Sequence, residues 1–185
     1  MTTASARDKV KNRFNIPLSV TALDTIIDGL VSDATDLLNN YVRLTATDTA
    51  VVTYTTTSFT VASGRTVIDL SLDDGLNKPV ILTDWYQEDT TIKLTSSFDG
   101  TITYRYKTNY TTSDLTNLPT EYNQPFLNLC YSEFSTFLAG DRSAYSMYTQ
   151  SAGARAVDNM IDLAQFYEQK AERQFATVEQ SEGSY

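Results

Sequence analysis

Apolar side chains in this chain recur first at helical spacing, then at strand spacing, then at helical spacing again. From Ala22 to Leu44 they fall at positions such as Leu23, Ile27, Leu30, Val31, Ala34 and Leu38, with Asp24, Asp28, Asp33 and Asp36 opposite. That is one face of an amphipathic helix sustained over several turns. From residue 50 the residues become β-branched and aromatic and partly alternate, in five runs at 50–62, 65–72, 79–86, 91–97 and 101–107. Ser63-Gly64, Asp74-Gly75 and Asp99-Gly100 punctuate them, and Asp99-Gly100 is the sharpest hairpin signal because Asp-Gly takes the positive φ values of a tight turn. The expected fold is α+β: N- and C-terminal helices form a small helical bundle, with an inserted antiparallel β-sheet or sandwich of about five strands. The expected boundaries are a helical core at 1–49 and 110–175, a β-rich insertion at 50–109 and a flexible tail at 176–185. A short helix over Ser5–Lys11 comes first, and Pro17 separates it from the long one.

The C-terminal part opens with "LPTEYNQPFLNLCYSEFSTFLAGDR", residues 118–142. Its helix is predicted from about Thr120 to Ala139, with Tyr122, Phe126, Cys130, Phe134 and Phe137 in one line and Leu127, Tyr131 and Leu138 flanking it. This apolar surface is wider than one antiparallel partner helix needs. Gly140 suits a left-handed helix end and Asp141 or Ser143 can cap the next helix, so the pair reads as an αα-hairpin. The second arm is predicted from about Ser143 to Phe175, about 50 Å if continuous and with a bend near Gly153.

Charge and chemistry narrow the function. The net charge is −9, divided as about −1, −2 and −6 over residues 1–49, 50–110 and 111–185. Specific nucleic-acid readers need clustered Lys and Arg, whereas an acidic surface lets DNA pass without sticking. Histidine is absent, which removes His-dependent nucleophilic triads and His-containing zinc sites. The single cysteine, Cys130, sits mid-helix among aromatics and reads as an inert small hydrophobe. The carboxylates of "LDDGLN" and "QED" fall where turns favour Asp, and neither a nucleotide loop nor a calcium loop is present. The basic residues Arg7, Lys9, Lys11 and Arg13 read as a solvated segment, a phosphate contact or a partner for acidic groups. No catalytic, cofactor or metal residue is assigned, and no signal peptide or apolar membrane span is expected.

The proline-led aromatic helix, the Gly-Asp break and the long second helix ("SAYSMYTQSAGARAVDNMIDLAQFYEQKAERQF") resemble the head-to-tail adaptor, or connector, proteins of tailed bacteriophages. The N-terminal "FNIPLSVTALDTIIDGLVSDATDLLNNYVRL" is similar to the opening of such adaptors, and the β insertion to their podovirus tail-tubular variety. The resemblance implies a structural virion protein in the capsid–tail neck, made in the host cytoplasm. Its copies would form a ring, dodecameric in most of the family, beneath the portal. Its partners would be further copies of itself, the portal protein and a downstream tail or neck protein, with DNA passing through the ring and no membrane involved. On that basis Tyr122, Phe126, Tyr131, Phe134 and Leu138 are the candidate subunit interface. Phe175, Val178 and Tyr185 are the candidate portal-docking residues, and Asp158, Asp162, Glu168 and Glu172 the candidate acidic channel face. The alternative is a neck- or tail-associated binding module, in which Asp84, Trp85, Tyr86 and Glu88 of the β insertion recognise a glycan or another tail protein.

Overall fold

The structure, a computed structural model, describes residues 1–76 and 78–182, with side chains as far as Glu179. The fold is α+β, and the chain divides into two compact units. Met1–Val42 and the chain from Tyr110 onward make a helical unit; Arg43–Asn109 makes a β unit.

The helical unit begins with α1 (Thr3–Arg13), whose first turn is capped by the Thr2 hydroxyl accepting from the Ser5 amide. Asn15, at a φ of 57°, reverses the chain after it, and the Ile16 amide returns to the Lys11 carbonyl. Helix α2 (Asp24–Leu38) buries Ile27, Val31, Ala34 and Leu38. It stops six residues short of the expected Leu44, and Asn39 caps its end, its side chain satisfying the Thr35 carbonyl that would otherwise lack a helical donor. The Asn39 amide donates to the Thr35 and Tyr110 carbonyls and its oxygen accepts from the Tyr110 amide, at 3.1, 3.0 and 2.6 Å. One side chain thereby clamps the point where the β unit leaves to the point where the chain returns.

Helix α3 (Asn123–Gly140) follows a 3-10 turn at Thr120–Tyr122. Pro125 lies in its first turn, where its missing N–H costs no helical bond. The expected second arm, with its bend near Gly153, is two helices, α4 (Arg142–Ala152) and α5 (Met160–Glu182), separated at that glycine. Gly153, at φ 59°, ends α4, and the Val157 amide donates to the Tyr148 hydroxyl at 2.8 Å, holding the connector in place. Asn159 restarts the helix by accepting from the Asp162 amide. Gly140 does not adopt the left-handed conformation; it is the last helical residue of α3, and Asp141 makes the turn while capping α4 through the Ser143 and Ala144 amides. Residues 176–182 extend α5.

Among the described residues, the β unit has seven strands in two antiparallel sheets. One sheet orders β1 (Leu44–Val52), β7 (Gly100–Thr108), β3 (Thr66–Asp73) and β4 (Val80–Leu82); the other orders β2 (Ser58–Thr60), β6 (Thr91–Leu94) and β5 (Trp85–Glu88). Val52, Leu70, Ile102 and Tyr104 of the first sheet pack against Ile92 and Leu94 of the second. Two of the five expected runs are each split between the sheets. A turn closed by the Thr56 amide on the Thr53 carbonyl parts β1 from β2, and residues 83–84 part β4 from β5. Asp99-Gly100 is not a hairpin turn, because β6 and β7 belong to different sheets. Gly100 is required for another reason. At φ 145°, opposite Val52, it lies against β3 so closely that an added methyl would overlap the Asp73 carbonyl oxygen.

Candidate assembly surface

Residues 125–132 of α3 are buried on every side, because α1, α2, α4 and α5 all pack on this helix. That explains the width of its apolar surface: the excess faces helices of the same chain. Phe14, at the end of α1, is the hub, with ring centroids 4.8 Å from Phe134, 6.2 Å from Tyr148 and 6.3 Å from Tyr131. Tyr131 in turn meets Tyr167 of α5 edge-on at 5.1 Å. The α3–α5 seam is tied by Asn128 donating to Gln174 and by Ser132 donating to the Ala164 carbonyl.

The structure therefore places all five candidate interface residues, Tyr122, Phe126, Tyr131, Phe134 and Leu138, inside the subunit, none more than 9% exposed. Phe175, a candidate portal-docking residue, is also buried, stacked on Tyr41 at 4.2 Å and beside Tyr122. Val178 is half-buried, and Tyr185 lies outside the described residues. Cys130 is buried, and burial pushes its thiol well above the usual range, which disfavours the thiolate needed for nucleophilic chemistry.

The N-terminal basic residues are largely consumed within the unit. Lys11, 1% exposed, donates to the Leu18 and Val20 carbonyls and to Asp24. Arg7 bonds Asp28 at 2.8 Å, and Arg13 donates to the Tyr167 hydroxyl. In the β unit, Trp85 is half-buried and donates to the Leu82 carbonyl, whereas Tyr86 is exposed. Arg65 lies 4.1 Å over the Tyr106 ring while bonded to Asp48, joining β1 to the rest of the first sheet.

The four candidate channel acids are all exposed but do not form one row. At about 100° per residue, Glu168, Glu172 and Glu179 share one edge of α5. Asp162 lies roughly a quarter-turn or more away, and Asp158 precedes the helix. Glu133 of α3 lies near this acidic edge: its carboxyl is raised by burial and then by Asp33 and Glu168. Tyr41 is raised by burial and then by Glu172 and Glu168. The opposite edge carries Phe166, Lys170 and Arg173, with the Lys170 ammonium 5.8 Å from the Phe166 ring centroid. This second edge was missed in the sequence, although plotting charge sign against helical angle along 160–179 reveals it. Near the N-terminus of α5 lies an open cavity of about 290 Å³, lined by Leu138, Tyr145, Met160 and Ile161, with Arg142 and Asp158 also on its wall.

Among the described residues no three potential metal-ligating side chains cluster, and no helix is long and apolar enough to cross a membrane. No family model matches the sequence, and no curated protein matches it. Among solved structures, the chain is similar to one in the neck of an empty GTA (gene transfer agent) particle computed with C6 symmetry. That match has 14% identity and a TM-score of 0.34, and covers 90% of this chain and 88% of the other. A chain in the neck of the native GTA particle computed with C12 symmetry is similar at 15% identity and a TM-score of 0.32, over 89% of this chain and 86% of the other.

Proposed function

We propose that this chain is a structural neck protein of a virion: a head-to-tail adaptor whose copies form a ring beneath the portal and join capsid to tail. DNA passes through the ring without specific binding, and the role involves no catalysis. The observation that carries the reading is how the adaptor-like stretches fold. Residues 14–42 and 118–175, which hold nearly all of the resemblance, belong to one helical unit, and the β unit is inserted at a single point closed by the Asn39–Tyr110 clamp. The burial of Cys130 and the internal use of the N-terminal cations also favour architecture over chemistry.

The test is co-expression with the portal and tail-completion proteins of the same virion, followed by purification and negative-stain microscopy. The expected outcome is a ring of this chain on one face of the portal. A chain that neither binds the portal nor forms rings in its presence overturns the reading.

A further inference from the structure

We propose that helix α5 carries both halves of the contact between copies: the edge with Phe166, Lys170 and Arg173 of one copy lies against the edge with Ile161, Glu168 and Glu172 of the next, and Phe166 enters the cavity beside that Ile161. The inference rests on the ring reading and assigns the surface that closes the ring.

The core of the helical unit offers little such surface, since Phe126, Tyr131 and Phe134 of α3 are enclosed and Phe137 is half-buried. Helix α5, by contrast, leaves two large apolar side chains in solvent, Ile161 at 60% and Phe166 at 53% exposure, one on each edge. The charges follow the same division. Glu168 and Glu172 repeat at i and i+4 on one edge, a like-charge spacing that disfavours the isolated helix. Asp33 and Glu133 add to the negative potential there. Lys170 and Arg173 stand on the other edge, and the ion pairs among the described residues involve other side chains.

A second copy supplies what each edge lacks. An isologous pair would set like charges against each other, whereas a head-to-tail pair sets opposite charges together. Copies related by rotation about an axis along α5 hold equally numbered residues at equal height. Lys170 of one then falls between Glu168 and Glu172 of the next, and Arg173 beside Glu172. A long helical side chain leans toward the N-terminus, which carries the Phe166 ring down toward Ile161 and the cavity formed with Leu138, Tyr145 and Met160. The two edges lie roughly 145° apart around the exposed side of α5. In a closed ring of about a dozen copies, the two neighbours of an inner element subtend about 150°.

The test uses the full chain with two double substitutions, K170E/R173E and E168K/E172K, each checked for fold by circular dichroism. Self-association is measured by sedimentation velocity and native mass spectrometry at low salt. The unmodified chain is expected to associate, and more weakly as salt rises. Each variant alone should associate roughly a hundredfold more weakly, since it sets like charges against each other. An equimolar mixture should recover assembly with the two variants in equal numbers, because each then meets its complement. Variants that assemble like the unmodified chain, or a mixture that does not recover, overturn the inference while portal-bound rings would leave the neck reading standing. An unmodified chain that stays monomeric at its highest soluble concentration also overturns it, as does an acidic edge occupied by a basic protein other than a second copy.

Discussion

Glu133 is one residue at which the helical unit works against itself. It is half-buried on α3, with Asp33 of α2 and Glu168 of α5 facing it, and burial and these two carboxylates raise its pKa above the usual 4.5. A carboxyl raised in the fold contributes stability only in its neutral form. That contribution is full below the unfolded-state value and is lost as pH climbs through the folded-state value. Glu133→Gln should therefore raise the melting temperature at neutral pH, with the gain disappearing as pH falls below about 4.5 in parallel thermal melts. A gain that persists in acid would mean that packing, not charge, is responsible. Lys11 has the opposite character. Its buried ammonium joins α1 to the start of α2 through Asp24 and two carbonyls, so Lys11→Met leaves three acceptors without their donor. A loss of about 3 kcal/mol is expected in urea unfolding, and a neutral result would show that the ammonium contributes no more than a hydrophobe of its length.

The β strands depend on close pairing with their neighbours, and Gly100 of β7 makes one such approach, against Asp73 of β3 in the same sheet. Gly100→Ala is expected to destabilise the β unit by about 3 kcal/mol, since both its φ of 145° and the Asp73 carbonyl exclude a side chain. The only tryptophan, Trp85, lies in this unit, so its fluorescence reports that unfolding separately; an unchanged midpoint would refute the close approach. The same residue shows why some elements were legible and others were not. The Asp-Gly pair was visible in the sequence, but its partner strand was not, because local turn chemistry does not say which sheet the chain enters next. Periodicity located the body of α2, which buries a regular stripe, and α3, whose aromatic line falls at helical spacing although the helix is buried all round at 125–132. It overran at Leu38, beside the long-range Asn39–Tyr110 clamp, and the bend expected near Gly153 is a full break between Ala152 and Met160. The candidate interface was misplaced for a related reason. An apolar face reveals that it will be covered, while the identity of the cover depends on how many helices of the same chain reach it.

The β unit leaves and rejoins the helical unit at one joint, and the chain geometry there predicts that the helical unit folds without it. Within the β unit, Leu44 and Thr108 are paired residues of β1 and β7, so the entry and exit of the insertion are adjacent. Antiparallel partners of this kind stand about 5 Å apart at their Cα atoms. Within the helical unit, Asn39 holds Tyr110 with two hydrogen bonds, so the chain ends left by removing the insertion are already held near each other. Replacing residues 43–109 with a short Gly-Ser linker closes a small gap, and the entropy of so short a loop is a modest cost. The shortened chain should unfold in a single cooperative transition and keep the helical circular dichroism of α1 to α5. Adding Asn39→Ala should then cost it about 1–3 kcal/mol, because the Tyr110 amide and carbonyl lose a buried partner. A shortened chain that is molten, or one indifferent to Asn39→Ala, would show that the helical unit does not stand by itself. If it folds and still self-associates as the unmodified chain does, the contact between copies resides in the helices. The β unit would then be free to meet a different protein of the neck.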